Sequence, residues 1–208
     1  MTEQVLSAAE LWRSLSTLIL AAIVVMGSPG PSTMSVTALG AAFGLRRSVG
    51  YVSGVILGTE AVLLAVATGV VALLLSMPGL TPVLTTAAAV YILYLAFRIA
   101  TAPPLSMRDP DVPAPSLTGG FLLAVVNPKA YFAIASVFTG STFAVHAGAL
   151  DVLLRTAILG MMIVVIHVCW LLAGASLASF LCDPVRSRIA NACFAAILIG
   201  TAILALMR

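Results

Sequence analysis

Three ionisable residues stand inside long apolar stretches of this 208-residue chain: Glu60, Lys129 and His167. Glu60 follows Arg46 and Arg47 by 14 and 13 residues, and His167 follows Arg155 by 12. At about 1.5 Å of rise per residue, helices starting at those arginines bring both groups near the middle of a hydrocarbon core about 30 Å thick. A carboxylate at that depth costs several kcal/mol, so it lines a pathway or meets a partner, and it suits a proton carrier. A buried imidazole points less sharply, since a hydrogen bond to a backbone carbonyl accounts for it equally well.

Two proline breaks share that depth. In Ser28-Pro29-Gly30-Pro31-Ser32 two helix breakers abolish a turn. Carbonyls and the hydroxyls of Ser28, Ser32 and Thr33 then become acceptors for an ammonium group or a proton relay. In Asn127-Pro128-Lys129 the proline frees a carbonyl on the preceding turn, which Asn127 can satisfy. A helix restarting there aims N–H groups and a positive dipole end inward, beside the charge of Lys129, an arrangement suited to a carboxylate. The alternative is a simple kink with Lys129 paired to Glu60 for structure alone. Within a bilayer such polar backbone survives only against protein or a water-filled cavity, and one break in each half of a chain points to a transporter's central site. The expected solute and ion pathway is Ser28, Pro29, Gly30, Pro31, Ser32, Thr59, Glu60, Asn127, Pro128, Lys129 and His167. No catalytic residue, cofactor or resident metal is expected.

These side chains need elements to hold them. The chain is 62% hydrophobic and 8% charged, with mean hydropathy +1.18. A soluble domain of this size cannot cover that much apolar surface, so the bilayer is its solvent. The runs lack the alternation of barrel strands, which makes the expected fold class an all-α integral membrane protein. Apolar segments cover 15–40, 49–76, 81–100, 118–142, 152–178 and 188–207. They predict six transmembrane helices as two inverted three-helix repeats, 15–100 and 118–208, because an odd number of spans reverses the second copy. Between them, 101–117 carries five prolines and reads as an irregular cytoplasmic linker.

Arg46, Arg47, Arg98, Arg108, Arg186 and Arg188 fall on one side of this topology, and Arg13, Arg155 and Arg208 on the other. The positive-inside rule puts the first set in the cytoplasm and both termini outside. No cleavable signal peptide is expected, because the first apolar run is too long for one. The net charge of +3 forms no basic face, so nucleic acid is not an expected partner. Cys169, Cys182 and Cys193 make no Cys-x-x-Cys pair, against a dithiol carrier or a zinc site. Gly50, Gly54 and Gly58 recur every fourth residue, a close-packing face for a neighbouring helix or for a second copy in a homodimer.

Taken in order, Pro29-Gly30-Pro31, Gly44-Leu45-Arg46-Arg47, Gly54 and Gly58, Gly120-Phe121 and Asn127-Pro128-Lys129-Ala130 resemble the lysine exporter (LysE/RhtB) family of amino-acid efflux proteins. The resemblance spans nearly the whole chain. It implies a compact six-helix protein of the bacterial inner membrane that exports amino acids or similar metabolites, driven by the proton motive force. Many members of that family carry an aspartate directly after the glycine matching Gly58. Here Thr59 holds that place and the acid is Glu60, about 100° further round a helix.

The function expected is thus a proton-coupled secondary exporter, alternating its access around a midplane site, with an amino-acid-like solute, protons and lipid as its partners. A divalent metal-ion exporter of related six-helix fold is the alternative, with Glu60, His167 and Cys169 as a thin ligand set. A membrane enzyme or redox carrier would need a zinc motif, paired carboxylates or a dithiol, none of which the sequence offers.

Overall fold

Bilayer thickness decides one feature of the architecture. Pro31–Ala67 is helical over 37 residues, which as a straight rod would reach about 55 Å, nearly twice a hydrocarbon core. It is not straight. Gly44 breaks it at φ 74°, a left-handed conformation that glycine adopts without steric cost. Beyond that point the Ser48 hydroxyl donates to the Leu39 carbonyl at 2.9 Å, and the Tyr51 hydroxyl to Ser35 Oγ at 3.2 Å. Contacts that pair 48 with 39 and 51 with 35 are those of an antiparallel hairpin with arms 31–43 and 45–67. A single glycine therefore does the work of a loop, and the helix resumes through Arg46 and Arg47.

The computed structural model describes residues 8–69, 80–101, 115–141, 148–177 and 183–206. Those residues form α1 (Ala8–Ala21), continued by a π-helical turn at Ala22–Met26, then α2 (the Pro31–Ala67 hairpin) and α3 (Leu80–Ala100). The second half supplies α4 (Leu117–Val126), α5 (Pro128–Thr139), α6 (Ala149–Leu177) and α7 (Pro184–Leu206). Among the described residues the fold is all-helical. Among those residues, three helical stretches, Ala9–Met26, Pro31–Ala67 and Ala149–Leu177, are long and apolar enough to cross a membrane, and the pair α4–α5, bent by 62°, makes a fourth. Much of the proline-rich linker, Cys182 and the side chains of Arg98, Arg108 and Arg208 lie outside the described residues.

The first arm of α2 is the centre of the protein, with every residue from Pro31 to Phe43 buried. Two neighbours close on the hairpin through glycines. A Cβ built on Gly54 would lie 1.9 Å from the Leu117 carbonyl oxygen, and one on Gly58 2.6 Å from that of Phe121, while Gly120 answers from α4 against Tyr51. On the opposite side Gly174 meets the Thr37 carbonyl, and Gly40 meets Leu171. Backbones this close leave no space for a side chain, the packing mode of helices that share a bilayer. Gly50 faces open space and takes no part in it. α3 packs chiefly on α7. α1 stays peripheral; Leu18 and Ala22 are buried, whereas Trp12, Leu20 and Val24 are exposed, as suits a helix facing lipid.

At one end of α6, Arg155 forms a buried ion pair with Asp151. Its guanidinium also donates to the carbonyls of Phe138 at 2.6 Å and Ser141 at 3.0 Å, and lies over the Phe138 ring, 4.5 Å from its centroid. The arginine satisfies the last turn of α5, whose carbonyls have no helical partner. It is a latch between two helices as well as a charge in the orientation count.

Candidate solute site

The first break begins where α1 loosens into its π-helical turn, closed by Gly27 N–H donating to the Ala22 carbonyl at 3.1 Å. Such turns are uncommon and gather at functional positions. Gly30 runs extended and its N–H donates to Thr33 Oγ1 at 2.9 Å, which caps the start of α2. Pro31 takes the first helical position, where a missing N–H costs nothing. The second break is built alike. The Asn127 side chain accepts from Lys129 N–H at 3.1 Å and so caps α5, again with proline first.

Side chains from elsewhere satisfy the carbonyls that these breaks release. The Trp170 indole N–H donates to the Gly27 carbonyl at 3.1 Å. The Tyr131 hydroxyl donates to the Val125 carbonyl at 2.7 Å, the one that the interrupted α4 would otherwise leave open. Lys129 reaches across from the second break to the first. Its ammonium donates to the Ser28 carbonyl and, at 3.0 Å, to the Pro29 carbonyl. Beside it, Asn127 Nδ2 donates to Ser32 Oγ at 2.9 Å, a buried contact between residues 95 apart.

A cavity of about 40 Å³ lies between the breaks, enough for roughly two water molecules and too small for an amino acid. Of the expected pathway residues, Gly30, Ser32, Thr59, Asn127, Lys129 and His167 line it. Ser28 and Pro29 contribute carbonyls to Lys129, and Pro31 and Pro128 start their helices outside the lining. Glu60 is not at the cavity. Its half-buried carboxylate lies against α6, where a Cβ on Gly160 would meet Oε2 at 3.1 Å, and it has no ion pair with Lys129. Thr59 holds the inward position, buried and with its hydroxyl donating to the Val55 carbonyl at 2.8 Å. A one-residue step along α2 has turned the acid out of the cavity and a hydroxyl into it.

His167 is 5% exposed. Its Nδ1 is 2.8 Å from the Ile163 carbonyl oxygen, whereas its Nε2 has no hydrogen-bond partner. A buried polar atom without a partner is costly and calls for a reason. Apart from Thr33 and Met26, the rest of the lining is aliphatic: Ala130, Ala133 and Ile134 of α5 and Ile163 and Ile166 of α6. Sequence reading passed over these, although each set repeats at three- and four-residue spacing beside a polar residue already singled out.

Among comparisons with known proteins, the family model for the LysE type translocator matches residues 22–208. The chain belongs to that family. No curated relative and no solved structure matches it. The matched region takes in both breaks, the hairpin and every cavity-lining residue. This LysE-type translocator is therefore a multi-pass membrane transporter, and the cavity lies where its two broken segments meet.

Proposed function

We propose that this translocator is a secondary exporter of amino acids or related small metabolites in the bacterial cytoplasmic membrane. It works by alternating access around the cavity between the two breaks. In this reading the chain crosses the bilayer six times, as inverted repeats 15–100 and 118–208 joined by a cytoplasmic linker, with both termini outside. As a translocator it moves its solute without transforming it. The carrying observation is that two breaks about a hundred residues apart converge on one small cavity, joined by Asn127 to Ser32 and by Lys129 to Ser28 and Pro29. The first-break carbonyls, held by Lys129, and the His167 ring are acceptors, while Lys129 and the positive end of α5 supply positive charge. A molecule with one charge of each sign matches that polarity.

Glu60 stands beside the path rather than in it, which suits a group that carries a proton while another site carries the solute. No three potential metal ligands gather among the described residues. The test is uptake of a radiolabelled mixture of the protein amino acids into proteoliposomes under an imposed pH gradient. Gradient-driven accumulation supports the proposal. A wild-type protein that moves none of them overturns it, and a Glu60→Gln variant with wild-type pH dependence removes the carrier role from Glu60.

A further inference from the structure

Backbone carbonyls released by Pro29-Gly30-Pro31 are natural acceptors for an ammonium group, and two of them already hold one. Lys129 Nζ takes the Ser28 and Pro29 carbonyls. Its aliphatic stem lies against Gly30 so closely that a Cβ there would come within 2.5 Å of Lys129 Cδ and 2.8 Å of Nζ. Lys129 itself lines the cavity, as does His167. The unpartnered, nearly fully buried Nε2 of His167 marks the same space as one built to receive a polar group. A solute ammonium entering here meets acceptors that are already taken.

Building on the exporter reading, we propose that Lys129 is a tethered substitute for the solute's ammonium group. When a solute is aboard, its ammonium displaces Lys129 from the Ser28 and Pro29 carbonyls. The freed lysine then turns to the solute's carboxylate, so charge inside the protein stays balanced. When the solute has left, the lysine ammonium returns to the carbonyls and bridges the two broken segments. The bridge satisfies backbone carbonyls that the first break releases, and lets the proton-loaded carrier reorient without cargo. Both forms of the carrier are then closed by the same contact, an ammonium between the same two carbonyls. The solute so recognised must bring an ammonium group; a carboxylic acid without one cannot release Lys129.

Exchange and net flux separate this role from simple solute binding, because exchange never requires the unloaded carrier to reorient. Full-length protein in proteoliposomes loaded with the radiolabelled amino-acid mixture is assayed for efflux into buffer and for efflux against unlabelled amino acids. Lys129→Met should lower net efflux about tenfold more than exchange, from the loss of charged hydrogen bonds made only on the return. Lys129→Arg, which keeps a cation, should recover part of the difference. Gly30→Ala leaves the lysine intact but crowds it off the carbonyls, and should show the same selective loss if Lys129→Met fails to fold. Parallel loss of both fluxes in these variants overturns the inference, as does no loss in either. Wild-type protein that carries no amino acid overturns the exporter reading instead.

Discussion

The Lys129 ammonium on α5 donates to the carbonyls of Ser28 and Pro29, 101 and 100 residues earlier in the chain. This contact joins the two places where the bilayer forbids open backbone unless protein covers it. Each break is thereby the other's cover, and the polar groups around them can be tested one by one.

Asn127 both caps α5 and holds Ser32. Asn127→Ala should cost about 2 kcal/mol, from a lost cap and a lost buried hydrogen bond. Thermal unfolding in detergent reads this as a lower Tm. Asn127→Ser, whose hydroxyl can still cap the helix, should recover about half of the loss.

His167 lines the cavity, and its buried Nε2 has no hydrogen-bond partner. Replacing such a group by an apolar ring of similar size is close to neutral for folding. His167→Phe should keep its Tm within a few degrees of wild type while amino-acid efflux falls about tenfold or more. A matching fall in stability would make the histidine a packing residue.

Of the three glycines spaced by four on α2, only two press on a neighbour. Gly54→Ala places a methyl group on the Leu117 carbonyl and should destabilise by about 2 kcal/mol or prevent folding. Gly50→Ala meets open space and should be neutral or stabilising by up to about 1 kcal/mol. Detergent melting curves of the pair test the packing, and equal effects would contradict it.

Arg155→Met removes one partner of a buried ion pair and the donors for two α5 carbonyls. The expected cost is about 3 kcal/mol, because the buried Asp151 carboxylate loses its guanidinium partner. The double change Arg155→Met with Asp151→Asn should recover much of it, again by melting temperature in detergent.

Composition and apolar run length by themselves determined the solvent, the helical class and the approximate place of each helix, because a bilayer accepts little else. Proline chemistry likewise determined where the helices break. The sequence also showed that Thr59 and Glu60 point in different directions, since one residue's step along a helix turns a side chain by about 100°. Tertiary structure decided which of these features meet. Glu60 and Lys129 stand at similar predicted depth, yet depth gives no azimuth, and the structure seats one against Gly160 and the other on the first break's carbonyls. Gly44 falls in sequence between two apolar segments, and only its backbone conformation makes it a hairpin turn. Nothing local to Trp170 or Tyr131 reveals that a carbonyl freed at a break awaits their N–H or O–H. Which buried polar group answers which is a long-range question, and it is settled only when both helices are in place.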